Sequence, residues 1–417
     1  MARAAGDLLA RIGPVTSLGG ALLFVGMTLG VVIARRPHDA LRAWRWEIVE
    51  PLIYLLLAAW YLRGRRWNRL TLWALVGSGL IIAALATAQT LGLHVTFTPV
   101  GVGQRLISYR PTPGVPYRAT AIIYGSPNSA GAWLERALPV ALATALLGRR
   151  LVRWERLLAG AATLALLPAL YWTDSRGAWL GAAVGLGLVA LVWIAPIAVQ
   201  AWEGVSSRDI LTYRVWRWPA LVAALAALMM LGTLAWSAWG GALLRVATAG
   251  HADTSAVRLL LWQSALHMIR DHPLLGIGPD QFLYYYDPAY TSHPYLISRV
   301  NGHPTVAVLQ PNLAHPHNLA LDLWLSAGLL GLIGYVMVVV ALVRRALLML
   351  RHSGKDNGGA GQPWRRVAAV GVLGALLATI THGMVDSAYF LPDLALAFWW
   401  GVAALIALDQ RVARRRA

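Results

Sequence analysis

The chain is 417 residues long, 58% hydrophobic and only 13% charged, with no cysteine and a formal charge of +18 from 36 basic against 18 acidic residues. A soluble domain is nearer a quarter charged, so this composition excludes an ordinary globular enzyme, a disordered chain and any disulfide or thiolate-metal framework. Nor does the basic excess describe a nucleic-acid surface. The arginines fall in short clusters between apolar stretches, as in a polytopic membrane protein whose basic residues mark the cytoplasmic loops.

A spanning helix needs roughly 20 apolar residues. That length predicts about ten spans, at 15–34, 47–62, 70–91, 127–147, 157–173, 178–200, 219–240, 317–343, 367–385 and 389–408. The second is short and carries Glu47, Glu50 and Pro51. The first apolar run is too long for a cleavable signal peptide, and no small-residue cleavage site stands out. The expected fold is therefore all-α, a single integral membrane domain over 1–417. With both termini cytoplasmic, the inner segments 1–14, 63–69, 148–156, 201–218, 344–366 and 410–417 hold 23 of the 36 basic residues. The connection 35–45 runs against that trend. It places four arginines on the outer side, which the first two spans as drawn leave unexplained.

Two outer segments are long. One is 92–118, rich in Pro and Gly; the other is 241–316, inserted between the seventh and eighth spans and too large for a mere connector. Within the second, Asp253, Thr254 and Ser255 offer helix caps, and Leu259, Trp262, Leu266 and Ile269 recur at helical spacing. They predict an amphipathic helix on the outer membrane boundary, ended by His272-Pro273 and the turn Gly276-Ile277-Gly278-Pro279. The tyrosines that follow either stack on sugar rings or pack as a lid. On the inner side, 202–218 reads as a second interfacial segment.

Polar groups at the outer ends of the spans carry the chemistry, because they are costly in lipid and tend to mark function. Ser175-Arg176 lies at the outer mouth between the fifth and sixth spans. Its guanidinium either snorkels to headgroups or grips a phosphate in a bidentate fork. Arg258, in the first turn of the amphipathic helix, is either a solvated residue or a second phosphate ligand. His315-Pro316-His317-Asn318 stands where the long loop re-enters the membrane. No acidic cluster accompanies this pair, so a general base fits it better than a metal site does, with an N-cap as the plain alternative. Asp322, one turn after Asn318, is placed to orient the site from below. Asn128 shares a helix face with Glu135, beside Arg136, and His382 shares one with Asp386; such pairs commonly hydrogen-bond helices together.

The stretches SPNSAGAWLERALP (126–139), DSRGAWLG (174–181), RLLLWQSALHMIRDHPLLGIGPDQF (258–282), HPHNLALDLWLSAGLLGLIGY (315–335) and HGMVDSAYFLPDLALAFWW (382–400), in this order, resemble the O-antigen ligase and polymerase superfamily of bacterial membrane glycosyltransferases. The resemblance covers most of the chain from about residue 120 onward. It implies a GT-C-like fold in the inner membrane, with the site on the outer, periplasmic side. The implied reaction moves a glycan from an undecaprenyl-diphosphate carrier to a hydroxyl of a glycan, lipid or protein acceptor. It also implies His317 as the base beside His315, and Arg176 and Arg258 as diphosphate ligands. Asn318, Ser175, Asn128, Arg136 and Asp322 complete the expected site, with no metal, cofactor or nucleic acid. Polymerase and ligase differ in the acceptor, which the residues leave open. A polyprenyl-saccharide transporter is the alternative from another class; its ionisable groups would sit near mid-membrane in repeated halves, whereas here they gather at one face.

Overall fold

A computed structural model describes residues 2–61, 65–92, 118–120, 126–148, 151–202, 254–300, 303–304, 313–352, 362–387 and 389–408. The expected span 219–240, the interfacial segment 202–218 beyond its first residue, and most of 92–118 lie outside the described residues.

The described residues are mostly helical: α1 (Ala2–Ile12), α2 (Pro14–Ile33), α3 (Pro37–Trp44), a π turn (Arg45–Val49) running into α4 (Glu50–Tyr61), α5 (Arg65–Thr90), α6 (Pro127–Leu147), α7 (Arg153–Trp172), α8 (Arg176–Trp202), α9 (Thr254–Asp271), α10 (Phe282–Tyr286), α11 (Leu319–His352), α12 (Gln362–Gly383) and α13 (Pro392–Leu408). One short antiparallel pair joins Arg299–Val300 to His303–Pro304. Among the described residues six helices are long and apolar enough to cross a membrane, namely Pro14–Ile33, Arg69–Thr90, Pro127–Leu147, Arg176–Ile194, Leu319–Leu350 and Trp364–Gly383. Pro392–Leu408 is apolar but shorter. Of the other expected spans, α4 is too short, and α7 carries Arg153, Glu155 and Arg156 in its first turn.

The bundle has two chemically different ends. At one, arginines meet helix-terminal carbonyls and one carboxylate. Arg345 donates to the carbonyls of Arg11 and Ile12, Arg365 to Leu408 and Arg156 to Ala145, and Arg69 pairs with Glu155. Cations are favoured where helix C-termini expose unpaired carbonyls. All of these arginines come from the segments read as cytoplasmic. The site lies at the other end, where 118–120, 126–128, 173–176, 313–318 and 383–390 converge.

The four arginines of 35–45 sit at the site end. Arg35 lies over the Tyr285 ring at 3.6 Å, and Arg42 pairs with Asp280 at 3.0 Å. The Arg36 backbone exchanges hydrogen bonds with the Gln281 side chain, Arg45 pairs with Glu50, and Tyr284 donates to Asp39 at 2.6 Å. Thus Arg35, Arg36 and Arg42 fasten the 35–45 connection to the stretch 280–291, and Arg45 braces the turn into α4. Their departure from the charge asymmetry has a local cause. The tyrosines of this segment serve packing as well: Tyr285 and Tyr286 are buried, with Tyr286 stacked on Phe282.

The predicted helix in the long loop forms as α9. Val257, Leu261, Ala265 and Met268 are buried against Ile277, Phe282 and Leu325. Of the stripe read from Leu259, Trp262, Leu266 and Ile269, Ile269 is buried in this cluster and Trp262 packs against it, whereas Leu266 is 52% exposed. Apolar residues almost surround this helix, so periodicity alone left its orientation undetermined.

Helix α11 is broken at Gly328, whose φ of 67° and ψ of −176° lie outside the helical region. In a straight helix the Leu329 N–H would donate to the Leu325 carbonyl. Here Leu329 N donates to Leu274 O at 3.0 Å, and Leu325 O accepts from Ile277 N at 2.7 Å and Gly278 N at 3.0 Å. The loop after α9 thus satisfies the backbone groups that the break exposes. Below the break, α2 and α11 approach closely through Gly19, Gly26, Gly331 and Gly334.

Candidate active site

Asp386, in the turn between α12 and α13, is the hub of the site. Its Oδ1 accepts from His317 Nδ1 and from the Ser387 amide, each at 2.8 Å. Its Oδ2 accepts from Asn128 Nδ2 at 2.6 Å and from an Arg258 terminal nitrogen at 2.9 Å. The turn is fixed by Asn318, whose Nδ2 donates to the Met384 carbonyl while its Oδ1 caps α11 at Ala320 N and Leu321 N. His317 occupies the left-handed region at φ 52°. There its carbonyl receives Trp262 Nε1, and its ring is turned toward Asp386. Burial pushes the Asp386 carboxyl up, but the hydrogen bond from His317 and the charge of His382 hold it well below the ordinary carboxylate range.

His315 forms a second imidazole–carboxylate pair, Nδ1 to Asp322 Oδ2 at 3.0 Å, with its ring stacked on Phe390. Asp322 therefore serves His315, and Asp386 takes the orienting place beside His317. Ser387 joins the two pairs, its amide on Asp386 and its hydroxyl directed at Asp322 Oδ2, 3.4 Å away. Burial pulls the His315 imidazole down, but Asp322, then Glu47 and Asp280, outweigh it and push the group up to about 9. At neutral pH His315 is thus an imidazolium. Its neighbour His317 has Nδ1 engaged by Asp386, so donation from Nδ1 leaves Nε2 as the available lone pair.

Three arginines lie at this end of the bundle, with Arg176 within electrostatic reach of Arg118. Arg258 reaches it from the first turn of α9. Arg176 is exposed at the first position of α8, where the helix dipole favours an anion. Ser175 caps that helix through the Ala178 amide and is itself buried. The third, Arg118, was not singled out from the sequence. It donates to Asn128 Oδ1 at 2.9 Å and to the carbonyls of Thr173 and Asp174. Burial, together with Arg258 and Arg176, lowers its affinity for a proton, against the opposing pull of Asp174 and Asp386. No periodic pattern surrounds Arg118, so only the fold brings it here. Arg136 lies inside the bundle, its Nε donating to Thr379 Oγ1 at 2.8 Å.

Of the residues expected from sequence, His317, Arg258 and Asn128 meet directly at Asp386. His315 and Asp322 stand beside them, Ser175 and Asn318 cap the helices that carry the site, and Arg136 is directed into the helix core. Asp386 itself had been grouped with His382 by spacing, without a place at the centre. Among the described residues no group of three or more His, Asp or Glu side chains has an arrangement that could hold a metal ion.

A search of the curated proteins finds no match for this chain. Residues 161–336 match the family model described as Wzy_C, O-antigen ligase. The matched stretch contains Arg176, Arg258, His315, His317 and Asp322, whereas Arg118, Asn128 and Asp386 lie outside it. Residues 161–336 are thus similar to the O-antigen ligase family, within a chain whose apolar helices are those of a multi-pass membrane protein.

Proposed function

We propose that the chain is a metal-independent glycosyltransferase of the bacterial inner membrane. It moves a glycan from an undecaprenyl-diphosphate carrier to an acceptor hydroxyl, with the site end of the bundle facing the outer side. The observation that carries this reading is the Asp386 carboxylate, which holds His317 on one oxygen and Arg258 on the other. A base for the nucleophile and a cation for the leaving group are thereby set side by side.

In this reading, the acceptor O–H passes its proton to His317 Nε2 as its oxygen attacks the anomeric carbon. The bond from that carbon to the diphosphate oxygen breaks, and the electron pair leaves with the diphosphate. Arg258, Arg176 and Arg118 meet the developing negative charge as cations already in place. The imidazolium of His315 adds a further positive charge nearby. The His317 step contributes on the order of 10²–10⁴-fold. The donor is already activated, so no nucleotide is consumed.

The direct test is transfer by the purified protein in nanodiscs, supplied with a lipid-linked oligosaccharide and glycan, lipid or peptide acceptors. His317→Ala and Arg258→Ala are each expected to abolish measurable transfer at normal expression and folding. Retained transfer in both variants would refute the roles of base and leaving-group cation, and chelator sensitivity reversed by one particular metal would refute metal independence. A reporter fused within 241–316 checks orientation, since cytoplasmic activity there would invert the placement.

A further inference from the structure

Beneath the hub lies a buried ion pair that the transfer step does not use. Glu135 on α6 and His382 in the last turn of α12 are 0% and 1% exposed. His382 Nδ1 stands 3.1 Å from Glu135 Oε2, within ion-pair range though not aligned as a hydrogen bond. On its other side, His382 Nε2 lies 3.8 Å from Asp386 Oδ2. Carboxylate and imidazole therefore alternate from Glu135 through His382 and Asp386 to His317.

Helix α8 is shaped around this pair. A Cβ at Gly181 would lie 2.5 Å from Glu135 Oε2, and one at Gly177 would lie 2.5 Å from His382 Cδ2. The charged groups facing each member can be named. Glu135 faces His382 and has Arg136 next to it; His382 faces the two carboxylates. Asp386 faces Arg258 from α9 and His317 from the turn before α11, with the neutral Asn128 from α6 and Arg118 farther out.

Ions buried in an apolar bundle are costly, and well-packed apolar residues in their place are commonly as stable or more so. Helix association alone therefore does not account for this pair. Its geometry offers a reason. Arg258 is held by Asp386 here, yet under the transfer reading, on which this inference rests, the same guanidinium must turn toward the donor diphosphate. Asp386 would then lose its nearest full cation at the moment His317 needs a fixed partner. We infer that Glu135 and His382 are positioning residues: the His382 imidazolium, held by Glu135, keeps Asp386 in place and balances its charge when Arg258 engages the donor.

The double variant Glu135→Gln with His382→Gln removes both charges together, so neither is left buried and unpaired. It is expected to fold, as thermal unfolding would verify. Its kcat should be lower by roughly tenfold or more with donor KM little changed. Asp386, stripped of a cation, binds the imidazole proton more tightly, so the acidic limb of the pH–rate profile should move to higher pH. The proton shared between His317 and Asp386, identified in NMR spectra by its loss in His317→Gln, should move downfield for the same reason. That resonance needs no substrate. A wild type that transfers no glycan would count against the proposed function alone, with the resonance still reporting on the pair. A folded double variant with an unmoved resonance would overturn the inference. Gly181→Ala crowds Glu135 without removing a charge and should also move the resonance. If the double variant does not fold, an unchanged resonance in Gly181→Ala overturns the inference instead.

Discussion

Replacing Asp386 with asparagine keeps the size of the side chain and removes its charge. Each carboxylate oxygen now accepts from two donors, His317 Nδ1 and Ser387 N on one, Asn128 Nδ2 and Arg258 on the other. An asparagine offers one carbonyl and one NH₂, so either orientation turns a donor toward two donors. At least two contacts are lost. Hydrogen bonds to charged groups contribute about 1.5–3 kcal/mol each, so the loss is about 3–6 kcal/mol before relaxation. With the amide turned one way, His317 loses its acceptor, and its lone pair is no longer held on Nε2. Turned the other way, Arg258 is released from a neutral partner. Transfer at saturating donor should fall by roughly 10²–10⁴-fold, measured as initial rate in nanodiscs beside a thermal unfolding curve. A folded Asp386→Asn protein that transfers within about threefold of the wild type would refute the reasoning.

The other predictions address different parts of the molecule. Gly328→Ala forces a side chain into a conformation nearly restricted to glycine and drives its Cβ into the Leu274 carbonyl. It should cost about 1–3 kcal/mol, read as a lower melting temperature, and an unchanged one would mean the break is not strained. Arg118→Ala should raise donor KM more than it lowers kcat, because it removes binding charge and leaves the base in place; a kcat effect with constant KM would assign Arg118 elsewhere. The His315 imidazole is raised from 6.5 to about 9 in the folded protein. The stability from its pair with Asp322 is therefore fully present below about pH 6.5 and lost as pH rises through about 9. Melting temperature should fall over that window in the wild type and stay flatter in His315→Gln. Parallel curves would show that the pair contributes nothing.

What could be read in advance follows from the range of the interactions. Spans such as α2, α6 and α12 are set by local apolar composition, so their positions matched the helices within a few residues. The motif from His315 to Asn318 was readable because it closes one turn of chain. Asp386 was visible only as a partner of His382 four residues away, since its other partners come from residues 128, 258 and 317. Arg118 left no trace, because its partners are backbone carbonyls beyond α7 and an asparagine on α6. The packed side of α9 is illegible for a related reason: apolar residues fall on nearly every side of it, and only the three-dimensional neighbours choose which side is packed. The partner of Asp322 was likewise decided by a turn whose left-handed His317 directs two neighbouring rings to different carboxylates.

The exchange of hydrogen bonds at Gly328 has a mechanical consequence. The part of α11 before Gly328 is linked to the rest of that helix by a single glycine, but to the 274–278 loop by hydrogen bonds and to α9 through Leu325 and the packed Leu321 and Trp324. The short half-helix that carries Asp322, capped by Asn318, thus travels with the piece of chain that carries Arg258. His317, immediately before it, is hinged to the same piece through Trp262. Asp386, Asn128 and His382 belong to the bundle below. The site consequently lies between this piece and the bundle, joined across by the Asp386 carboxylate, by the hydrogen bond from Asn318 to the Met384 carbonyl, and by Leu319 and Leu323, which pack in the main core. A shift of that piece against the bundle would lengthen the His317 and Arg258 contacts together, so the proposed proton acceptor and leaving-group cation would disengage as one unit.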